Sequence, residues 1–169
     1  MRHAERGVLN GVKDHEQPIT DEGMASAKRV AEKMKSLGWI PDIVMSSNSL
    51  RSKQTFEGMK SVIEEMNMAD LHFLGSLYTQ SQLDGHTLPH LIQLLCVEAS
   101  DEDHSCALCL GHNKGWEEAA STLAMDTIHL DNGDAALFEA TGGSWEDLLQ
   151  EENLQRWQCF KIIRSSPSL

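Results

Sequence analysis

Short apolar runs alternate along this chain with segments whose apolar residues recur every three or four positions. The runs lie at 40–45, 71–77, 105–110, 135–138 and 157–163. Runs of this length, with β-branched and apolar residues, predict strands. Between them Met24, Ala27, Val30, Ala31, Met34 and Leu37 share one helical stripe, Phe56, Met59, Ile63 and Met66 a second, and Leu88, Leu91, Ile92 and Leu95 a third. Residues 116–125 and 145–149 also read as helical. Parallel strands need crossovers of about a dozen residues, usually helices, so this alternation predicts an α/β fold: a three-layer α/β/α sandwich with a mostly parallel central sheet. The length of 169 residues suits one domain, at 1–164, followed by a frayed tail at 165–169.

Local signals refine the pattern. Thr20 is a predicted N-cap, with Asp21 and Glu22 at the positive end of the first helix, and Gly38 is its stop. Residues 46–49 read as a polar turn, and a helix is predicted over 50–66. That puts Arg51 in a first helical turn, where free N–H groups and the dipole favour an anion. Ser144 is a predicted N-cap for 145–149.

Bulk properties exclude several classes of function. A formal net charge of −12 argues against nucleic acid and, less strongly, against an anionic membrane surface. No apolar run approaches the roughly 20 residues of a membrane span, and no signal peptide is legible. With four cysteines in the whole chain, the reading is an intracellular, cytoplasmic protein. Cys106 and Cys109 have C-x-x-C spacing, but an odd offset in a strand points them to opposite faces. His86 and His90 lack a third ligand, and His15 and Glu16 lie in a polar loop, so no metal site is expected.

Three stretches carry chemistry: Met1-Arg2-His3-Ala4-Glu5-Arg6, Ser46-Ser47-Asn48-Ser49-Leu50-Arg51-Ser52-Lys53-Gln54-Thr55, and Leu110-Gly111-His112-Asn113. The last two follow predicted strands, at the carboxyl edge where ligands of such sheets bind. Arg2 and Arg51 offer planar forks that match phosphate oxygens, and His3 and His112 offer imidazoles that attack phosphorus or stabilise charge.

In these residues the chain resembles the histidine phosphatase superfamily, and within it the SixA-like phosphohistidine phosphatases. Arg2-His3-Ala4 is similar to the family's opening, Ile19-Thr20-Asp21-Glu22-Gly23 to its first helix start, Ser46 to Thr55 to its second signature, and Gly111-His112-Asn113 to its second histidine motif, in the family's order. The resemblance implies a phosphoglycerate mutase-like fold and a phosphatase without metal or cofactor. It implies that His3 becomes phosphorylated and is then hydrolysed by water, while Arg2, Arg51 and His112, with Asn113, bind the phosphoryl group. Many superfamily members add a carboxylic acid; Asp84 and Glu5 are the candidates here. A site with no dedicated acid suits phosphohistidine, whose imidazole leaves after ring protonation. The expected partner is therefore a phosphorylated protein, with a small phosphorylated metabolite as the alternative.

One departure stands out. The family places a central strand of about 5–6 residues before Arg-His, whereas here Met1 alone precedes Arg2. The expectation is a shortened chain with two strands left unpaired and His3 poorly supported. A third reading follows from it: a non-catalytic form that binds phosphate or phosphorylated partners.

Overall fold

Three parallel strands form the centre of the molecule, β1 (Ile43–Ser47), β2 (Asp70–Leu74) and β3 (Ala107–Leu110), in the order β2-β1-β3. A second sheet pairs β4 (Ala135–Glu139) with β5 (Gln158–Ile163) antiparallel. The helices are α1 (Asp21–Ser36), α2 (Leu50–Lys60), α3 (Gly75–Gln80), α4 (Thr87–Glu98), α5 (Asn113–Ala124) and α6 (Trp145–Leu148). This computed structural model describes residues 1–166.

Alternation along the central strands feeds two cores. Val44 and Leu108 face α1 and α2, where they meet Val30, Met34, Phe56 and Met59. Ile43 and Met45 face the other layer, where they meet Leu77, Leu91, Leu95 and Trp116. All five residues of β1 are buried, as expected of a middle strand covered on both faces. The architecture is the expected three-layer α/β/α sandwich. The two predicted caps also hold, with the Thr20 and Ser144 hydroxyls accepting from the Gly23 and Asp147 backbone N–H groups, and the Ser49 hydroxyl caps α2 by accepting from the Ser52 N–H.

Element boundaries differ from the sequence reading for identifiable reasons. The helix predicted over 50–66 stops at Lys60, and a 3-10 turn at Glu64–Met68 follows. The β-branched pair Val62-Ile63 lies at the break, yet Ile63 and Met66 remain buried, so the stripe was read correctly while its geometry was not. The strand predicted over 71–77 ends at Leu74 because its partner β1 ends opposite it, at the Ser47–Leu74 pair. Leu77 is buried from helix α3 instead. Ser46 and Ser47, read as turn, are the buried end of β1. Ser165, assigned to the frayed tail, is buried: its N–H donates to Asp134 Oδ1 and its hydroxyl to the Asn132 carbonyl. Residues 167–169 of that tail lie outside the described residues.

Between β3 and β4 there is no further strand among the described residues. Residues 1–3 bridge the two edges at one end only. Arg2 forms a parallel bridge with Gly111. The His3 N–H donates to the Gly111 carbonyl (2.9 Å), the Arg2 N–H to the Asp134 carbonyl (3.0 Å), and the Gly133 N–H to the His3 carbonyl (2.9 Å). The first residues thus run parallel to β3. Beneath them an apolar cavity of about 610 Å³ opens, lined by Met1, Trp39, Leu108, Leu137, Trp116 and Leu148 among others. The Met1 ammonium is buried there, donates to the Cys109 carbonyl, and is pushed down to about 6 by desolvation. The expectation that His3 is poorly supported is not met: three backbone hydrogen bonds fix Arg2 and His3 to both flanking edges.

The cavity generates a test. Six apolar, β-branched residues joined before Met1 should continue the ladder along β3 and replace a buried ammonium with a peptide N–H. Burial contributes about 1.5–3 kcal/mol per large side chain, offset by about 1–2 kcal/mol of backbone ordering per residue. A net gain of about 3 kcal/mol should raise the melting temperature by about 6–12 °C. An unchanged melting temperature would mean the cavity does not accept a strand.

Candidate active site

His3 lies 6% exposed at the end of the bridging segment. Its ring nitrogens have distinct partners. Nδ1 is 2.7 Å from the Ala4 carbonyl, which can only accept, so Nδ1 carries the proton. Nε2 then presents a lone pair, and it accepts from Arg51 Nε at 3.1 Å. The backbone behind it is tied to α2, because the Ala4 N–H donates to Thr55 Oγ1 and the Thr55 hydroxyl donates to the Arg51 carbonyl. Gln54 accepts from the Ile19 N–H. Within the sequence signature, Thr55 therefore ties the His3 segment, and Gln54 the Ile19 backbone, to the helix that carries Arg51.

Arg51 is 5% exposed in the first turn of α2. The Nε end of its fork meets His3, and Nη2 lies 3.3 Å from His112 Nδ1. An arginine can only donate, so His112 Nδ1 is an acceptor and its Nε2–H donates to Ser47 Oγ at 2.7 Å. His112 caps α5, directly after Gly111, and is 8% exposed. Gly111 is required at that point: a Cβ would collide with the Trp116 ring. The His3 and His112 rings stand 5.1 Å apart, centroid to centroid.

Both imidazoles are held neutral. Burial, opposed by the Ala4 hydrogen bond and reinforced by the charges of Arg51, Arg2 and Arg6, pushes His3 down to about 4. Burial and then the proximity of His3 and Arg51 push His112 down to about 3. At neutral pH the cluster holds two unprotonated acceptor nitrogens facing one guanidinium, which suits a nucleophile.

Sequence reasoning missed two members of the site. Asp14, in a 3-10 turn (Asp14–Glu16), accepts from Arg51 Nη2 through Oδ2 at 2.8 Å, and its backbone carbonyl accepts from Nη1 at 2.5 Å. Arg6 also ion-pairs with it. The Tyr78 hydroxyl donates to Asp14 Oδ2 at 2.8 Å, and the Tyr78 ring stands edge-on to His112 at 5.0 Å. Burial raises the Asp14 carboxyl, but the hydrogen bonds from Tyr78 and Arg51 and the charges of Arg51 and Arg6 outweigh it and hold it at about 2. The residues 7–18 read as a polar loop bordering the site, but nothing local in the sequence distinguishes Asp14 from the other acidic residues there.

The other residues singled out from the sequence lie at the margin or elsewhere. Arg2 turns its Nη1 onto the Leu130 carbonyl at 2.7 Å, and its buried Nε has no protein partner. It still lies close enough to depress His3 and His112. Asn113 is exposed as the first residue of α5, beside His112. Asp84 is exposed and ion-paired with Lys114 at 2.6 Å, and Glu5 accepts from the Thr20 hydroxyl at 2.9 Å; neither touches the cluster.

No protein-family model matches the chain. An uncharacterized chloroplastic protein of Arabidopsis thaliana is 36% identical over 170 residues, covering all of this chain and 78% of that protein. Among solved structures, the protein histidine phosphatase SixA complexed with tungstate superposes with a TM-score of 0.73 at 15% identity, covering 98% of this chain and 94% of that one. A Nakamurella multipartitia protein assigned as a phosphohistidine phosphatase SixA gives 0.75 at 21% identity, covering 97% and 92%. A phosphoserine phosphatase of Entamoeba histolytica, in complex with 3-phosphoglyceric acid, gives 0.54 at 17%, covering 82% and 87%. These structures share the fold.

The depressed imidazoles have a measurable consequence. A histidine whose folded value lies below its unfolded value of about 6.5 binds its proton first in the unfolded chain, so stability is lost as pH falls from about 6.5 towards 4. Imidazole ¹⁵N spectra should show His3 still neutral, with Nδ1 protonated, at about pH 5.5. A titration midpoint near the ordinary value of about 6.5 would contradict the assigned hydrogen bonds.

Proposed function

The chain belongs to one family with the Arabidopsis protein and has the fold of the SixA-like histidine phosphatases, and on that premise we propose that it is a phosphatase with His3 as its nucleophile. One observation carries the reading: His3 Nε2 is unprotonated, with its proton parked on the Ala4 carbonyl side and its lone pair beside the Arg51 fork. In the first step the Nε2 lone pair forms a bond to phosphorus while the bond to the leaving group breaks. Arg51 and His112 take the equatorial oxygens, with Arg2 and Asn113 at the rim. In the second step water attacks phospho-His3, releasing phosphate and restoring the imidazole. Positioning and charge stabilisation supply most of the acceleration in such transfers.

The preferred substrate is phosphohistidine on a protein. Asp14 is the carboxylate at the site and is held at about 2, so it is ionised and cannot serve as an acid at neutral pH. An alkyl phosphate would expel a poor alkoxide, whereas a protonated imidazole departs neutral. The compartment is intracellular; the chloroplastic address of the Arabidopsis relative makes a plastid the location to test beside the cytosol. No helix among the described residues is long and apolar enough to cross a membrane.

Rapid-quench labelling with a phosphodonor should yield an acid-labile, alkali-stable adduct that is absent in His3→Ala; an adduct surviving that change would reject the assignment. Turnover should be faster on a phosphohistidine protein than on sugar phosphates.

Arg51→Ala should weaken vanadate binding at least tenfold, about 1.4 kcal/mol, against little change for Lys53→Ala. Lys53 is exposed, with its ammonium 5.4 Å from the Phe73 ring. Equal effects of the two changes would place the anion site elsewhere.

A further inference from the structure

We infer that Asp14 is the specificity-determining residue of this site, a fixed negative charge at its mouth that selects phosphoryl donors whose leaving group is cationic. The inference rests on the phosphatase reading above and names its substrate class more narrowly.

The site is ordered by depth. His3, Arg51 and His112 are 6%, 5% and 8% exposed and form the floor. The Asp14 side chain is 49% exposed and forms the mouth. Along the guanidinium, His3 meets the Nε end and Asp14 meets the Nη end. In-line displacement puts the leaving group opposite the nucleophile. With His3 on the floor, the leaving group points outward and passes Asp14.

Charge decides what can occupy that position. A phosphoryl dianion and the Asp14 carboxylate would share one guanidinium, because Arg51 is the cation in direct contact with both histidines. Arg6 partly offsets Asp14 through its own ion pair. A leaving group that is anionic adds repulsion; a neutral one leaves the imbalance uncorrected. A protonated imidazole supplies the missing positive charge beside the carboxylate. The carboxylate in turn favours the protonated ring, which is the form that departs as neutral imidazole when the P–N bond breaks and its electron pair returns to nitrogen. Tyr78 aims this carboxylate: its hydroxyl donates to Oδ2, and its ring is fixed edge-on against His112.

The test separates this inference from the reading beneath it by measuring binding without turnover. In a His3→Ala background, calorimetry compares a phosphohistidine peptide with a phosphoserine peptide of the same sequence. The background should prefer phosphohistidine, and adding Asp14→Asn should lower that preference at least tenfold. Adding Tyr78→Phe in place of Asp14→Asn should lower it by a smaller factor. Asp14→Asn is isosteric and half-exposed, and an unchanged melting temperature confirms that the variant folds. A preference unchanged by Asp14→Asn, or no binding of either peptide, overturns the inference. His3-dependent turnover by the unaltered chain is read separately and reports on the phosphatase reading alone.

Discussion

The hydrogen bond from Arg51 Nε to His3 Nε2 joins the two halves of the site, and most of the surrounding structure serves to hold it. His3 comes from the segment wedged between β3 and β4, and Arg51 from the first turn of α2. Thr55 ties these elements together by accepting from Ala4 and donating to the Arg51 carbonyl. The Ala4 carbonyl fixes the tautomer, so the nitrogen facing the guanidinium is the one with a free electron pair. Ser47 performs the corresponding task for His112 from the end of β1. His3, the proposed nucleophile, is thereby aimed by secondary structure on several sides, as a preorganised site requires.

On the proposed reading, this arrangement would place an anion site on a protein of net charge −12. On that reading long-range attraction does not recruit the substrate. Local geometry does: one buried guanidinium and two neutral imidazoles, with Asp14 competing for the same guanidinium at the mouth. A ligand has to displace or accommodate that carboxylate, which raises the demand on the ligand's own charge pattern.

Much of this was legible in the sequence. Strand and helix alternation gave the layers, and the ordered motifs gave His3, Arg51 and His112, which the fold brings together. The boundaries were less legible because tertiary pairing set them: β2 ends where β1 ends, whatever the β-propensity of the following residues. Ser46 and Ser47 looked like a turn because part of what satisfies their polarity lies far off in sequence: the Ser47 hydroxyl accepts from His112 Nε2, while Ser46 donates to the Ser47 carbonyl at the strand end. Asp14 and Tyr78 meet across 64 residues of chain, a contact that no local pattern encodes. The firm hold on His3 was not legible, because it depends on backbone groups of Gly111 and Gly133.

The central claim is that phosphorus becomes bonded to one particular nitrogen. Heteronuclear ³¹P–¹⁵N correlation on phosphoenzyme trapped from ¹⁵N-histidine-labelled protein reads that bond directly. The account predicts a single adduct on Nε2 of His3, with Nδ1 still protonated against the Ala4 carbonyl. Phosphorus on Nδ1, on His112, or on a side chain that is not histidine would contradict it.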